Sequence, residues 1–501
     1  MLIIRASFPM ALLILSGCIV GPRHTSPETR LPPSYGEGGT TSIGDVSTEE
    51  WWYAFNDSRL NGYISTGLSQ NLSVLQAMER IEQAEASVVV AGAASLPKLT
   101  ANGSHTVSGT RGSLPTADSP VANTSNAGLD ISWLLDLFGQ YRRAKESAHA
   151  SLDASYASAD VQKMALLSSV VSSYIDARYY QERLAITRQN LASRRETLAL
   201  TKLQLEAGAA SRLDVVQAEG LVNSTLSEIP GLETNFRRAA HRIATLLGMP
   251  ASTFVADLQK GARQPVARSI PRTGIPADLI RNRPDIRAAE RRLAAAVSEI
   301  GVAEARLYPS IELGGSIIPS YSRLSGSSSG SSNSWSFGPS IVLPILDSGT
   351  LRANVDIAKS TAREQYLAWK QTVLNAVEET ENALAAIKRD QRTVDALSAA
   401  VRSNREALSL STASYRDGAT SLLDVLDAQR EVSNAQASLA QAIQQMAQDF
   451  VSLNVAIGGG YAVVRDANTS STKPGGKGRS GKTTCPSEPD REPDHASGGC
   501  R

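Results

Sequence analysis

The sequence predicts a mainly α-helical protein with a smaller amount of membrane β-structure, built from two tandem repeats. Three observations lead to this fold class. Gly and Asp positions recur at a fixed offset, each copy contains an unusually long stretch without Gly or Pro, and each copy contains two segments with strand character. Aromatic residues are only 5% of the 501 residues, which favours long helices packed through small side chains.

The charge balance excludes some classes of function. The formal net charge is +1, with 20% charged and 42% hydrophobic residues. This is not the composition of a disordered protein, and it offers no electrostatic reason to expect a nucleic-acid partner. After the N-terminal segment no run of 18 apolar residues occurs, so no mature transmembrane helix is predicted.

Residues 1–17 have the features of a lipoprotein signal peptide. The short apolar run Phe8 to Leu15 leads into "LSGC", which is similar to a bacterial lipobox. Cys18 is therefore predicted to carry the lipid, including palmitate, and 18–50 to be the lipidated N-terminal segment. The alternative is an ordinary signal peptide with an incidental cysteine. Ile19 after the cysteine favours sorting to the outer membrane.

Two copies of one unit follow, at 51–250 and 281–460. An offset of 210 residues joins equivalent positions without a gap over about 110 residues. The matched pairs include Gly139 and Gly349, Gly208 and Gly418, Asp214 and Asp424, and Gly248 and Gly458. Chance similarity of Ala-rich helices does not explain one fixed offset, so an internal duplication is predicted.

Each copy is expected to contain one very long helix, at about 140–207 and about 350–417. Neither stretch contains Gly or Pro, and a helix of this length would extend roughly 100 Å. Apolar or small residues recur every seven positions in the second stretch, as in a coiled coil. These positions are Val373, Thr380, Ile387, Val394, Val401, Leu408 and Tyr415. A partner helix is expected to return after the glycine that ends each stretch.

Four strands are predicted, at about 98–110, 125–136, 310–320 and 334–346. Each is about as long as a tilted strand that crosses a bilayer. Four strands are too few to close a barrel, because the smallest membrane barrels have eight. Closure therefore requires several chains, and three chains would supply twelve strands.

The C-terminal segment 465–501 is predicted to be disordered, because it is rich in Gly, Ser, Thr, Pro and charge. Its two cysteines, Cys485 and Cys500, are interpreted as incidental. No disulfide framework is expected in the body of the protein.

At this point the sequence resembles the TolC-like outer-membrane efflux proteins, and within them the NodT-type lipoproteins of RND efflux systems. The resemblance covers about residues 50–460. It rests on "SWLLDLFGQYRRA" (132–144), "RNRPDIRAAERRL" (281–293), "GPSIVLPILDSGTLRA" (338–353) and the two glycine-turn stretches. Two positions depart from the family pattern, Leu134 and Leu346, and neither lies in a turn.

The resemblance implies a homotrimer with a twelve-stranded β-barrel and a long periplasmic α-helical tunnel, in which 251–280 is an equatorial linker. It implies a passive exit duct of a tripartite pump for drugs or toxic compounds, lipid-anchored in the outer membrane. A periplasmic adaptor and an inner-membrane pump would be its partners. No enzyme activity, metal or cofactor is expected. The alternatives are the duct of a type I protein secretion system and a periplasmic coiled-coil scaffold, and the cargo is not predicted.

The stretch "YRDGATSLLDVLDA" places Asp424 and Asp427 on one helical face. A catalytic pair, a metal site, a solvated face and a pore constriction are the possible interpretations. The five histidines are scattered, and no nucleophile–base set is recognisable. A constriction is favoured, because threefold symmetry would turn each acid into a ring of carboxylates that attracts cations. The resemblance adds Tyr415 as a gate residue, with Asp214 and Gln217 as the equivalents in the first copy.

The glycine turns are expected to need little side-chain bulk, since Gly supplies the left-handed conformation at a helix end. The resemblance implies that these tips contact the adaptor. The predicted contact residues are Gly208, Ala209 and Ser211 in the first copy, and Gly418, Ala419 and Ser421 in the second.

Overall fold

The structure is a computed structural model that describes residues 19–38, 41–109, 121–261, 263–268, 274–325 and 329–462. The predicted signal peptide 1–17, the predicted lipidation site Cys18 and the predicted disordered tail 465–501 lie outside the described residues. Statements about the fold below refer to the described part of the chain.

The two copies share five elements in the same order: a helix, two strands, a very long helix and a returning helix. In the first copy these are α1 (Ser58–Gln70), α2 (Leu72–Ala93), β1 (Lys98–Gly109), β2 (Val121–Leu135), α3 (Gln140–Glu206) and α4 (Arg212–Leu246). Two short helices follow, α5 (Val255–Leu258) and α6 (Pro276–Asn282). The second copy contains α7 (Pro284–Ala305), β3 (Ser310–Leu324), β4 (Ser329–Val342), α8 (Thr350–Arg416) and α9 (Leu422–Ala456). A 3-10 helix, Trp51–Phe55, precedes α1.

Helices α3 and α8 are 67 residues long each, which corresponds to about 100 Å. An aspartate before each of them binds the free N–H groups of the first turn. Asp136 accepts hydrogen bonds from the backbone N–H of Tyr141 and Arg142, at 3.2 and 2.9 Å. Asp347 accepts one from Leu351 at 2.7 Å, and such bonds hold the pKa of its carboxyl below the ordinary value.

The seven-residue repeat of α8 forms its packed stripe, as the sequence predicts. All seven positions from Val373 to Tyr415 are buried or half-buried. Helix α8 packs along α9, α3 packs along α4, and α9 also packs on α3. Each copy thus forms a helical hairpin, and the two hairpins lie against each other within one chain.

The four strands form one antiparallel sheet in the order β1-β2-β3-β4. The register pairs Lys98 with Ser132 and Leu135 with Ile311. The predicted bounds of the last strand, about 334–346, were wrong. Strand β4 begins at Ser329 and ends at Val342. Val342 faces Ser310, the first residue of β3, so no ladder partner remains for residues 343–346, and Pro344 has no N–H to donate. Strand β2 also begins four residues before its predicted start.

A buried aromatic cluster lies where the 3-10 helix meets the long helices. Trp52 and Phe55 pack with residues of α3, α4 and α9. The ring centroids of Phe55 and Phe450 are 5.3 Å apart in an edge-to-face arrangement. This cluster fixes the first residues of the repeat region to the middle of both hairpins.

The duplication is visible in how each copy satisfies one backbone carbonyl. In the first copy the side-chain amide of Asn71 donates to the carbonyl of Leu246 at 2.7 Å. In the second copy Arg283 donates to the equivalent carbonyl, Ala456, at 3.0 Å. Both residues directly precede the equivalent helices α2 and α7, so different side chains satisfy the same requirement.

Among the described residues, no helix is both long enough and apolar enough to cross a membrane.

Candidate functional site

The predicted site residues lie at the two hairpin tips, at the opposite end of the long helices from the sheet. Both tips end their long helix with the same Schellman arrangement. In the second copy the N–H of Gly418 donates to the carbonyl of Tyr415 at 3.1 Å, and the N–H of Ala419 to that of Ser414 at 2.8 Å. Gly418 has a φ of +71°, a left-handed conformation that residues with a Cβ adopt at a cost.

The first tip repeats this geometry. Gly208 has a φ of +73° and donates to the carbonyl of Leu205 at 3.0 Å, while Ala209 donates to that of Gln204 at 2.8 Å. A Cβ on either tip glycine would meet no atom within 4 Å. The left-handed backbone conformation, and not a lack of room for a side chain, therefore explains why glycine occupies both tip positions.

Asp214 and Asp424 each bind the N-terminus of the returning helix. The Asp424 carboxylate accepts from the backbone N–H and the hydroxyl of Ser421, at 3.0 and 2.8 Å. Asp214 accepts from Ser211 in the same way, at 2.8 and 2.7 Å. Both acids lie three residues after the N-cap, where a carboxylate also interacts favourably with the helix dipole. The two aspartates are thus structural residues in addition to any gate role.

Asp427 lies one turn further along α9 and is exposed, like Asp424. Its carboxylate pairs with Arg430 at 2.7 Å, and both side chains are more than half exposed. Gln217, the equivalent of Asp427 in α4, is exposed as well. The structure therefore brings two carboxylates to the surface of the second tip and one, Asp214, to the first.

Tyr415 connects the two tips. Its side chain is buried, with 9% of its surface exposed, and its hydroxyl donates to the side-chain carbonyl of Gln204 on α3. The ring packs with Leu422, Leu426 and Ala218 in a small apolar cluster that both hairpins share. The predicted gate tyrosine is therefore a contact between the first and second hairpins of the same chain.

The predicted adaptor-contact residues are exposed at both tips. They are Gly208, Ala209 and Ser211 in the first turn, and Gly418, Ala419 and Ser421 in the second. None of them belongs to an apolar cluster of the structure, so the tips present small, exposed side chains.

A row of polar contacts joins α3 to α9 and was not predicted from the sequence. Gln429 donates to Thr197 at 2.8 Å, and Gln444 and Gln448 both donate to Asp176, at 2.7 and 3.1 Å. Gln429, Gln436 and Gln444 follow one another at steps of seven and eight, and Gln448 follows one turn later, which places these four on the side that faces α3. That spacing was the available signal for a polar interface between the hairpins.

Asp390 and Asp449 form a pair of acids between α8 and α9 that the sequence also did not reveal. One carboxylate oxygen of Asp390 is buried without a hydrogen-bond partner. Burial, together with the charge of Asp449, raises the pKa of the Asp390 carboxyl to about 6. Asp449 accepts from Gln445 with both oxygens at 3.1 Å. No group of three or more potential metal ligands occurs in the part of the chain that the structure describes.

The N-terminal strap, residues 19–38, begins at the base of the sheet. The N–H of Val20 donates to the carbonyl of Phe138 at 3.2 Å. The buried guanidinium of Arg143 donates to the carbonyls of Val20 and Gly21, at 3.0 and 2.8 Å. Further along, Glu37 pairs with Arg389 of α8 at 2.8 Å. The strap therefore runs from the end of the strands towards the middle of the long helices.

These features define a class of protein: a duplicated helical-hairpin channel subunit with strands of membrane-crossing length. The sequence model of the family described as outer membrane efflux protein matches residues 63–249 and 275–459. The chain therefore belongs to the outer membrane efflux protein family. This confirms the predicted fold class and the outer-membrane location, and it makes the chain an outer-membrane efflux channel protein.

The chain is similar over nearly its whole length to proteins of several bacteria. Nodulation protein T of Rhizobium leguminosarum bv. trifolii is 56% identical over 92% of this chain and 99% of the relative. Outer membrane protein OprJ of Pseudomonas aeruginosa is 33% identical, over 90% and 94% of the two chains. The pyoverdine export outer membrane protein OpmQ of the same species is 32% identical, over 90% and 96%.

Solved structures agree with the fold. The outer-membrane channel OprN is 33% identical with a TM-score of 0.78, covering 89% of this chain and all of that one. The outer membrane channel MtrE of Neisseria gonorrhoeae, solved in an open state, is 29% identical with a TM-score of 0.76, covering 89% and 99%. The prediction of the TolC-like family is therefore confirmed.

Proposed function

We propose that three copies of this chain form the outer-membrane exit duct of a tripartite efflux pump. Small drugs or toxic compounds leave through it passively, and the chain acts as a duct rather than as an enzyme. One observation carries the proposal: each chain joins four strands of bilayer-crossing length to two helical hairpins about 100 Å long. The strands are long enough to cross the outer membrane, and the hairpins are long enough to form a tunnel that reaches a periplasmic adaptor.

The edges of the sheet support assembly into a closed barrel. Strands β1 and β4 each have one neighbour within the described part of the chain, and unpaired edges are not stable in lipid. Pairing β4 of one copy with β1 of the next would satisfy both edges, and three copies would give twelve strands. Trp335 and Phe337 on β4 are 77% and 74% exposed, which suits contact with outer-membrane lipid.

The gate is proposed to lie at the second tip. Asp424 and Asp427 are exposed on one face of α9, and threefold symmetry would arrange each as a ring of three carboxylates. Such a ring attracts cations. When no cation is bound, the carboxylates within the ring repel one another. Tyr415 supports this assignment, because its hydroxyl ties the second hairpin to Gln204 of the first.

The experiment is a planar-bilayer recording of the Asp424→Asn, Asp427→Asn double variant. Asparagine keeps an acceptor oxygen for Ser421 but removes the charge, so the helix cap is disturbed less than by alanine. We expect higher single-channel conductance and weaker block by multivalent cations. Asp417→Asn is the matched control, because Asp417 is an exposed acid of the same tip before the glycine turn. Unchanged conductance and block in the double variant would remove the gate assignment.

The cargo is proposed to be selected by the inner-membrane pump and not by the duct. A relative at 32% identity is named for pyoverdine export, and another at 56% for nodulation, so similar ducts serve unlike processes. The pyoverdine-export name supports efflux of small compounds over secretion of a protein by a type I system. A neighbouring gene for a proton-driven pump, and not for an ABC exporter, would discriminate between the two.

A further inference from the structure

A cavity of about 350 Å³ lies between α3, α4 and α9. Helices α3 and α4 belong to the first hairpin and α9 to the second, so the cavity lies where the hairpins meet. Its lining is polar and carries three arginines, Arg183, Arg194 and Arg430, but only one acid, Glu228. None of the predicted gate residues lines the cavity, although Arg430 pairs with Asp427.

Arg194 is the buried charge of this cavity, with 6% of its surface exposed. One terminal nitrogen donates to the hydroxyl of Thr225 on α4, and the other donates to Ser433 on α9 at 2.8 Å. Its Nε is buried and has no acceptor. A guanidinium offers five N–H donors, so three remain after these two bonds.

No carboxylate of the described residues lies within ion-pair distance of the Arg194 guanidinium. Within the part of the chain that the structure describes, Arg194 takes part in no ion pair. Burial lowers the pKa of its guanidinium, while Glu228 raises that pKa and Arg430 lowers it. Arginine nevertheless stays protonated in proteins. Arg430 has its own partner, Asp427 at 2.7 Å, so that carboxylate is already engaged.

A buried charge requires a partner, because its removal from water costs several kcal/mol unless it is paired or fully hydrogen-bonded. We propose that the cavity is a binding site for a small monovalent inorganic anion, such as chloride, held by the guanidinium of Arg194. The volume accommodates such an ion with several water molecules, each of which occupies about 30 Å³ in the liquid. Glu228 in the same lining disfavours a dianion, because like charges repel.

The anion would join the two hairpins. Arg194 belongs to α3 and reaches Ser433 on α9, and an anion beside it neutralises the charge that this contact buries. The site therefore stabilises the packing of the first hairpin against the second, at a level between the sheet and the tips.

The first test uses crystals of the full-length protein soaked in sodium bromide. Bromide replaces chloride and is located by its anomalous scattering. We expect a peak within hydrogen-bonding distance of the Arg194 guanidinium in the wild-type protein. The absence of a peak in this cavity, with peaks only at exposed lysines or arginines, would overturn the proposal.

The second test compares thermal unfolding of the purified protein in sodium chloride and in sodium gluconate at equal ionic strength. Gluconate carries its single charge on a molecule several times larger than chloride, so we expect it to enter the cavity less readily. We expect a higher midpoint in chloride for the wild type, and no such difference for Arg194→Gln. Arg188→Gln is the matched control, because Arg188 is an exposed arginine of the same helix that pairs with Glu233, and it should keep the chloride effect.

Glu228→Gln separates the anion from the rival explanation that Glu228 itself neutralises Arg194. Removal of a like charge should lower the chloride concentration needed for half of the stabilisation by about fivefold. If Glu228 is the partner, the variant instead unfolds at a lower temperature in both salts, and the anion proposal fails. The Glu228→Gln comparison distinguishes the two explanations even if the Arg194→Gln variant does not assemble.

Discussion

At the scale of single residues, one side chain can serve structure and function together. Asp424 accepts two hydrogen bonds from Ser421 at the start of α9, and it is exposed at the proposed gate. The equivalent Asp214 makes the same contacts with Ser211. The recurrence of these acids in both copies is therefore explained by helix capping. Asp427 has no acid equivalent in the first copy and makes no helix-cap contact in the described part of the chain, so capping does not explain it; its ion pair with Arg430 and the proposed gate role are the two explanations.

Asp390 provides a test of stability against pH. Its folded pKa of about 6 lies above the ordinary value for an aspartate, so the folded state binds a proton more readily than the unfolded state. Ionisation of Asp390 therefore destabilises the folded state. This loss of stability is absent at low pH, grows as the pH rises from about 4 to 6, and is fully present above pH 6. We expect Asp390→Asn to stabilise the protein by about 1 kcal/mol at pH 7, after a discount for the exposed part of the group.

The measurement is thermal unfolding of the variant and the wild type between pH 4 and 7. The difference between the two proteins should grow over this range. Asp395→Asn is the control, because Asp395 is an exposed aspartate of the same helix that accepts from Gln391 at 3.0 Å. A difference that stays constant with pH would contradict the assignment.

At the scale of elements, the hairpin is the functional unit. Each hairpin has a helix of 67 residues, a glycine turn and a returning helix of 35 residues. The turn presents only small side chains, and the Schellman arrangement satisfies its backbone groups internally. At its tip the second hairpin carries two exposed acids, Asp424 and Asp427, whereas the first carries one half-buried acid, Asp214, so the two tips are alike in fold and unequal in charge.

The tips are proposed to contact the periplasmic adaptor. A photo-crosslinking residue at Ala209 or Ala419 should give a covalent adduct with a co-expressed adaptor, because both positions are exposed at the turns. The measurement is an adduct of the combined mass on a denaturing gel. The same residue at Trp335, exposed on the sheet at the other end of the helices, should give none. A functional pump without an adduct from either tip would count against this contact.

At the scale of the whole molecule, the N-terminal strap connects the sheet to the helices. Residue 19 lies beside Gly139 at the base of the sheet, directly after the predicted lipidation site. An acyl chain on Cys18 would therefore start at the membrane-proximal end of the helices. This geometry supports a lipid anchor that adds to the barrel, since the strap is also held by Arg143.

The anchor is tested by the intact mass of the purified mature protein. The wild type should carry the added mass of fatty acyl groups, and Cys18→Ser should lose it, because the thiol is the attachment point. The Cys485→Ser and Cys500→Ser variants are matched controls that should keep the lipid mass. A wild-type protein without any added lipid would show that residues 1–17 are an ordinary signal peptide.

The duplication, the two long helices, the four strands and the glycine turns are predictable from the sequence. These features depend on local rules: the absence of Gly and Pro over long stretches, a seven-residue repeat, and glycine at a left-handed position. The family followed from motifs within these same segments, such as "RNRPDIRAAERRL".

The contacts between residues of the two hairpins are not predictable from the sequence and become visible in the folded chain. Tyr415 and Gln204 are 211 residues apart in sequence, and Arg194 and Ser433 are 239 apart. The end of β4 at Val342 likewise depended on the length of its neighbour β3. Contacts of this kind depend on the relative rotation and register of whole helices and strands. No local pattern in the sequence records that geometry, so the buried charge of Arg194 and the acid pair of Asp390 appeared only in the folded chain.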